Sequence, residues 1–216
     1  LRILLYSILF LLNISLNIYL FLFAYEKNSK QEQFFSTYKL TKDELSLIND
    51  GDIILRHGFG LVSDMIVKVL DEEYDLSHCA LVRITDKSYK VIHSVSRSLS
   101  DYDGVQEQSL PSFIRESHEN SIIIVRLKAN NPAHNAQVSD RAQYYLDQKI
   151  PFDNAFDITD TSEFYCTELL WKSILDVTGI DILENADLAK KEHLKFRFFL
   201  DTALFEIVLN HHERKP

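Results

Sequence analysis

Residues 77–95 read Ser-His-Cys-Ala-Leu-Val-Arg-Ile-Thr-Asp-Lys-Ser-Tyr-Lys-Val-Ile-His-Ser-Val. Apolar and β-branched residues crowd both sides of the polar tetrapeptide Thr85-Asp86-Lys87-Ser88. This pattern predicts two antiparallel strands, residues 78–84 and 89–95, joined by a hairpin loop. Counting outward from Asp86-Lys87 sets His93 nearly opposite Ala80. Ala80 shares a strand face with His78, because strand side chains alternate. Two imidazoles therefore meet on one face of one hairpin.

Upstream of the hairpin, Thr41 followed by Glu44 has capping-box form and opens a short helix through residue 48. Asp50-Gly51 signals a turn before a short apolar strand at 53–55. Residues 61–70 read as a helix with Met65, Ile66 and Val69 on its apolar face. Downstream, residues 105–109 read as a further strand, followed by a short helix from Pro111. Residues 121–128 (SIIIVRLK) form a strong strand signal. Asn131-Pro132 opens a helix reaching about residue 148, with Val138, Ala142, Tyr145 and Leu146 at helical spacing. A loop spans 150–158, and an apolar-periodic helix at 165–177 ends at Gly179. Helical pieces follow at 184–197, then a short segment at 205–208. A few antiparallel strands with helices around them make an α+β domain.

At the N-terminus, residues 1–25 are almost all apolar, and Arg2 is their only charge. About 20 apolar residues cross a bilayer as a helix. The run lacks the polar face of a packed surface helix, and no small-residue cleavage site follows it. The expectation is an uncleaved transmembrane signal anchor at 1–25, a linker or juxtamembrane helix at 26–47, and one domain over 48–216. Arg2 points to a cytoplasmic N-terminus, with the domain on the extracytoplasmic side. Roughly 190 residues outside the span suffice for a hydrophobic core. The net charge of −9 disfavours nucleic acid as a partner. Two cysteines do not make a disulfide scaffold.

Cys166 opens a predicted helix, where unpaired amides and the helix dipole favour a thiolate. The same residue also reads as an inert buried cysteine. His78 is a candidate base for it, and alternatively a strand-end histidine satisfied by backbone. If His78 faces Cys166, strand alternation turns Cys79 away into packing. His93 is a candidate to orient His78, or an ordinary half-buried histidine. Zinc held by His78, His93 and Cys166 is chemically conceivable, but no close ligand spacing supports it. His57 lies after the first strand, where it could line a cleft. With His118, His134, His193 and His211-His212 it reads as solvated. No cofactor and no metal are expected.

Taken in order, five motifs resemble the YiiX/YebB-like group of permuted NlpC-type, papain-like enzymes. They are Asp50-Gly51-Asp52-Ile53-Ile54-Leu55-Arg56, Ser77-His78-Cys79-Ala80-Leu81-Val82, Val91-Ile92-His93-Ser94, Pro151-Phe152-Asp153 with Phe156-Asp157, and Phe164-Tyr165-Cys166-Thr167-Glu168-Leu169-Leu170. The resemblance spans residues 48–208 and implies a circularly permuted papain-like catalytic domain. It implies Cys166 as nucleophile, His78 as general base and a polar third residue on the next strand, here His93. Many relatives carry an acidic residue there, so the third member is the point of departure. The implied activity is that of an amidase or peptidase working through a Cys thioester, on cell-wall peptides by analogy. An acyltransferase or lipid hydrolase using the same thioester is the alternative, and a non-catalytic binding module the third. The expected partners are a small peptide, amide or lipid substrate, and the membrane through the N-terminal helix.

Overall fold

A computed structural model describes residues 2–86, 88–128, 131 and 133–212. Lys87 of the hairpin loop and Pro132 of the predicted helix start lie outside the described residues. The chain begins with α1 (Arg2–Phe35) and α2 (Lys42–Leu47). The Thr41 capping box forms: Glu44 N donates to Thr41 Oγ1 at 3.2 Å, and Thr41 N to Glu44 Oε2 at 2.6 Å. There follow β1 (Ile53–Arg56), α3 (Leu61–Leu70), β2 (His78–Thr85), β3 (Ser88–Val95), β4 (Gly104–Ser109), α4 (Leu110–Arg115), β5 (Ile123–Leu127), α5 (Ala133–Asp147), α6 (Cys166–Thr178) and β6 (Phe205–Asn210).

The strands form one sheet in the order β4-β3-β2-β1-β5-β6, with every neighbouring pair antiparallel. The hairpin takes the expected register, running from Thr85 opposite Ser88 to Leu81 opposite Ile92. The fold is α+β, as the strand and helix pattern predicts.

Both faces of the sheet are covered. Leu55, Cys79, Leu81, Ile92 and Val125 pack in one layer with Leu169, Leu170 and Ile174 of α6. Ile54, Ala80, Val82, Val91 and Ile124 pack in the other with Leu110, Phe113 and Ile114 of α4. A strand buried on both faces needs a continuous apolar run, which is why Cys79 to Val82 contains no polar alternation. Gly51 closes the turn before β1 at φ 86°, and a Cβ there would lie 2.0 Å from the Asn135 carbonyl oxygen. Only glycine lets this turn seat against α5.

Three elements refine the expectation or depart from it. Residues 26–35 continue α1 as helix, since this segment has no Gly or Pro to break it. The helix also gains a seat: Leu61 N donates to Glu26 Oε1 at 2.9 Å. The pieces at 184–197 are 3-10 turns. On α3, Met65 and Val69 are exposed (54% and 76%) and do not face the core. The packed side is Ile66 and Leu70, because α3 approaches the core only with that edge. Helix α1 is long and apolar enough to cross a membrane, and its apolar stretch is not buried against the domain.

Candidate active site around Cys166

Cys166 is the first residue of α6. Its neighbour is Cys79, and both are free thiols. Cys79 packs with Cys166 in the α6 layer, and its thiol, with the backbone N–H groups of Cys79, Thr167 and Cys166, makes up the donors that favour the Cys166 thiolate. These donors, Cys79 first, hold the Cys166 thiol below its ordinary pKa even though burial opposes them. Cys79 carries the cost: burial, then its bond to Cys166, pushes its thiol well up. Cys79 thus remains a protonated donor while Cys166 ionises.

The contact corrects one expectation. Cys79, not His78, is the β2 residue on the Cys166 side. Alternation along β2 explains why. Cys79 opposes Leu55 and enters the α6 layer, whereas His78 opposes Arg56 and shares the α4 side.

His78 and His93 meet as the hairpin predicts, with Nε2 of His78 2.8 Å from Nδ1 of His93. Phe113 stacks against both rings, at 5.8 and 5.6 Å between centroids. The Arg56 guanidinium lies 3.8 Å over the same Phe113 ring. Burial, then His93 and Arg56, holds His78 well below its usual range. Burial, then Arg56, pushes His93 down to about 3. Both rings are neutral at physiological pH and share one proton along their hydrogen bond. No described hydrogen bond joins His78 to Cys166. Between them stands Cys79, the neighbour of His78 in β2, which packs with Cys166 in the α6 layer.

The segment entering α6 is fixed from two sides. Ser94 Oγ donates to the Phe164 carbonyl at 2.5 Å, joining β3 to the residue two before Cys166. Asp153, which is buried, accepts from the backbone N–H groups of Ala155, Phe156 and Asp157 at 2.7, 2.9 and 2.6 Å. The Pro151-Phe152-Asp153 motif is therefore a loop clamp. Glu168 is buried in the first turn of α6, and burial pushes its carboxyl up to about 8.

Sequence reasoning missed two groups besides Cys79. His193 is buried, not solvated, because its 3-10 turn tucks against α6, where Thr167 Oγ1 donates to the His193 carbonyl at 3.3 Å. Tyr165 Oη and both His193 ring nitrogens are buried without a hydrogen-bond partner among the described residues. The signal for Tyr165 was its place beside Cys166; for His193, flanked by charges in sequence, there was none. His211, read as solvated, is bound to Glu44 Oε1 and Tyr38 Oη at 2.7 Å each.

No protein-family model and no curated sequence matches the chain. Among solved structures, the crystal structure of metalloprotein yiiX from Escherichia coli O157:H7 is similar. The TM-score is 0.56 at 18% sequence identity, over 75% of this chain and 97% of that one. The domain therefore shares the yiiX-like fold that its ordered motifs resemble.

Proposed function

We propose that this yiiX-like domain on an apolar N-terminal helix is a membrane-tethered cysteine hydrolase. Cys166 is the nucleophile, His78 the general base, and His93 orients His78. One observation carries the reading: Cys166 opens α6, and hydrogen bonding from the Cys79 thiol before all else holds its thiol below the ordinary pKa. His78 and Cys79 are consecutive in β2, with Cys79 on the α6 face beside Cys166 and His78 on the α4 face, so the proposed proton transfer passes around the first residue of the strand. With Nε2 bound to His93, Nδ1 is the His78 nitrogen left for proton transfer.

In the first step the Cys166 thiolate bonds to an amide carbonyl carbon, and the carbonyl electron pair moves to oxygen. Backbone N–H groups at the start of α6 stabilise that oxyanion. The thiol proton passes to His78, which is neutral and so free to accept it. Collapse breaks the C–N bond, the proton leaves with the amine, and a thioester remains. Water then releases the acid and restores the thiol.

An amide substrate is favoured by the Tyr165 hydroxyl, next to Cys166 in the chain, a polar group with no hydrogen-bond partner among the described residues. The second reading is an acyltransferase or lipid hydrolase. It is supported by the exposed apolar side of α3, Val62, Met65 and Val69, next to the membrane-length helix.

The yiiX protein is described as a metalloprotein. The His78–His93 pair does not fit a metal here. Its facing nitrogens hydrogen-bond to each other at 2.8 Å, and among the described residues no third His, Cys, Asp or Glu donor converges on them. Arg56 also places a positive charge beside both rings.

The test is acyl-enzyme trapping. The full chain in detergent is incubated with peptide amides and, separately, with phospholipids, and its intact mass is read. The expected result is an amide-derived acyl group on Cys166 that is lost in Cys166→Ala and His78→Ala. Adducts from phospholipid alone would select the second reading. No adduct from either class would refute both.

A further inference from the structure

A second constellation lies outside the Cys166 site. His57 follows β1, Asp64 is in the first turn of α3, and His118 lies between α4 and β5. These residues are far apart in sequence, and no short-spacing motif announces them. In the fold, one donor atom from each falls within 4.8 Å of the others. His57 Nε2 is 2.8 Å from Asp64 Oδ1. The His57 and His118 rings are 4.5 Å apart between centroids. All three side chains are half-buried.

The frame around them is built from backbone. His118 N donates to the His57 carbonyl at 2.9 Å, and Gly58 bridges to Ser117. Ser121 Oγ reaches the carbonyls of both histidines, at 3.3 and 2.7 Å. Behind the carboxylate, the Tyr25 hydroxyl of α1 donates to the second oxygen, Asp64 Oδ2.

A histidine–aspartate ion pair accounts for His57 and Asp64. It does not account for His118, whose ring lies against those of His57 and Phe59, at 4.5 and 4.2 Å between centroids. Among the described residues, the His118 ring nitrogens make no hydrogen bond. Two imidazoles and a carboxylate, converging with one hydrogen-bonded outer oxygen, are the donor set of a zinc-class cation. We propose that His57, Asp64 and His118 bind one divalent transition-metal ion, with Tyr25 orienting the carboxylate. Three protein donors leave a coordination position for water. Because Tyr25 belongs to the N-terminal helix, the metal clamps that helix to the loops after β1 and before β5.

The test uses the full chain in detergent, stripped with EDTA and titrated with zinc chloride by calorimetry. The expected result is one zinc equivalent in wild type, lost in His118→Ala and in the isosteric Asp64→Asn, and kept in His78→Ala. X-ray absorption of the zinc-loaded chain should show two imidazole nitrogens at about 2.0–2.1 Å. Should His118→Ala fail to fold, as judged by circular dichroism, Asp64→Asn decides. Wild type that takes up no zinc, or an equivalent that persists in Asp64→Asn, would overturn the site.

Discussion

The chemistry proposed for Cys166 depends on one neighbour that is not a histidine. Cys79 supplies both a thiol and a backbone N–H to the sulfur, and its thiol donor is the largest of the effects that favour the thiolate. Removing that donor should raise the Cys166 pKa. Cys79→Ala is therefore expected to shift the alkylation midpoint of Cys166 upward, while Cys79→Ser, which keeps a hydroxyl donor, should shift it less. A second prediction concerns His93, held at about 3 by burial and Arg56 against about 6.5 when unfolded. A base with a depressed folded pKa contributes stability above its unfolded pKa. That stability should be lost as pH falls from about 6.5 toward 3. His93→Gln, which stays neutral and can still bond His78, should flatten the decline in melting temperature between about pH 7 and 4.5. Hydrolysis should fall to background in Cys166→Ala and His78→Ala, and less steeply in His93→Gln, which leaves the base in place.

At the scale of elements, the features readable from the chain are the local ones. The hairpin register follows from four polar residues between two apolar runs, and it brings His78 to His93 as counted. The α6 boundaries follow from apolar spacing and from Gly179, which takes the left-handed cap at φ 71°. The side of β2 that meets α6 was not legible. Cys79, Ala80, Leu81 and Val82 are all completely buried, so alternation carries no sign of which face is which. Assigning Cys79 to the α6 layer needs the tertiary fold. The same holds for His57, Asp64 and His118, which three separate loops and helices bring together. The glycines offer a direct comparison of local and tertiary constraint. A Cβ at Gly179 meets nothing within 4 Å, so Gly179→Ala should cost about 1 kcal/mol of backbone strain alone. Gly51→Ala adds a collision with the Asn135 carbonyl and should cost clearly more, read as urea midpoints at equal slope.

For the whole molecule, α1 determines where the site works. From Ile3 to Phe23 it presents apolar side chains to the surroundings, and beyond them it is tied to the domain through Tyr25 and Glu26. Under the proposed tethering, a helix continuous with the domain would hold Cys166 at a fixed height over the bilayer, unlike a flexible linker. Full-length protein is expected in the membrane fraction after carbonate washing. A chain starting at Ser36, which lacks all of α1, should appear in the supernatant. Charged substitutions at Met65 and Val69 should leave the fold intact, since both are exposed, and should lower turnover of membrane-bound substrate more than of soluble substrate.

The most direct test of the thiolate at Cys166 is its alkylation rate with iodoacetamide as a function of pH, site-resolved by mass spectrometry, in wild type and in His78→Ala. The proposed mechanism predicts rapid labelling below about pH 7 in wild type, with a midpoint under the ordinary thiol value of about 8.5, and slower labelling in the variant. A midpoint at or above about 8.5, identical in both proteins, would contradict it and leave Cys166 a structural thiol.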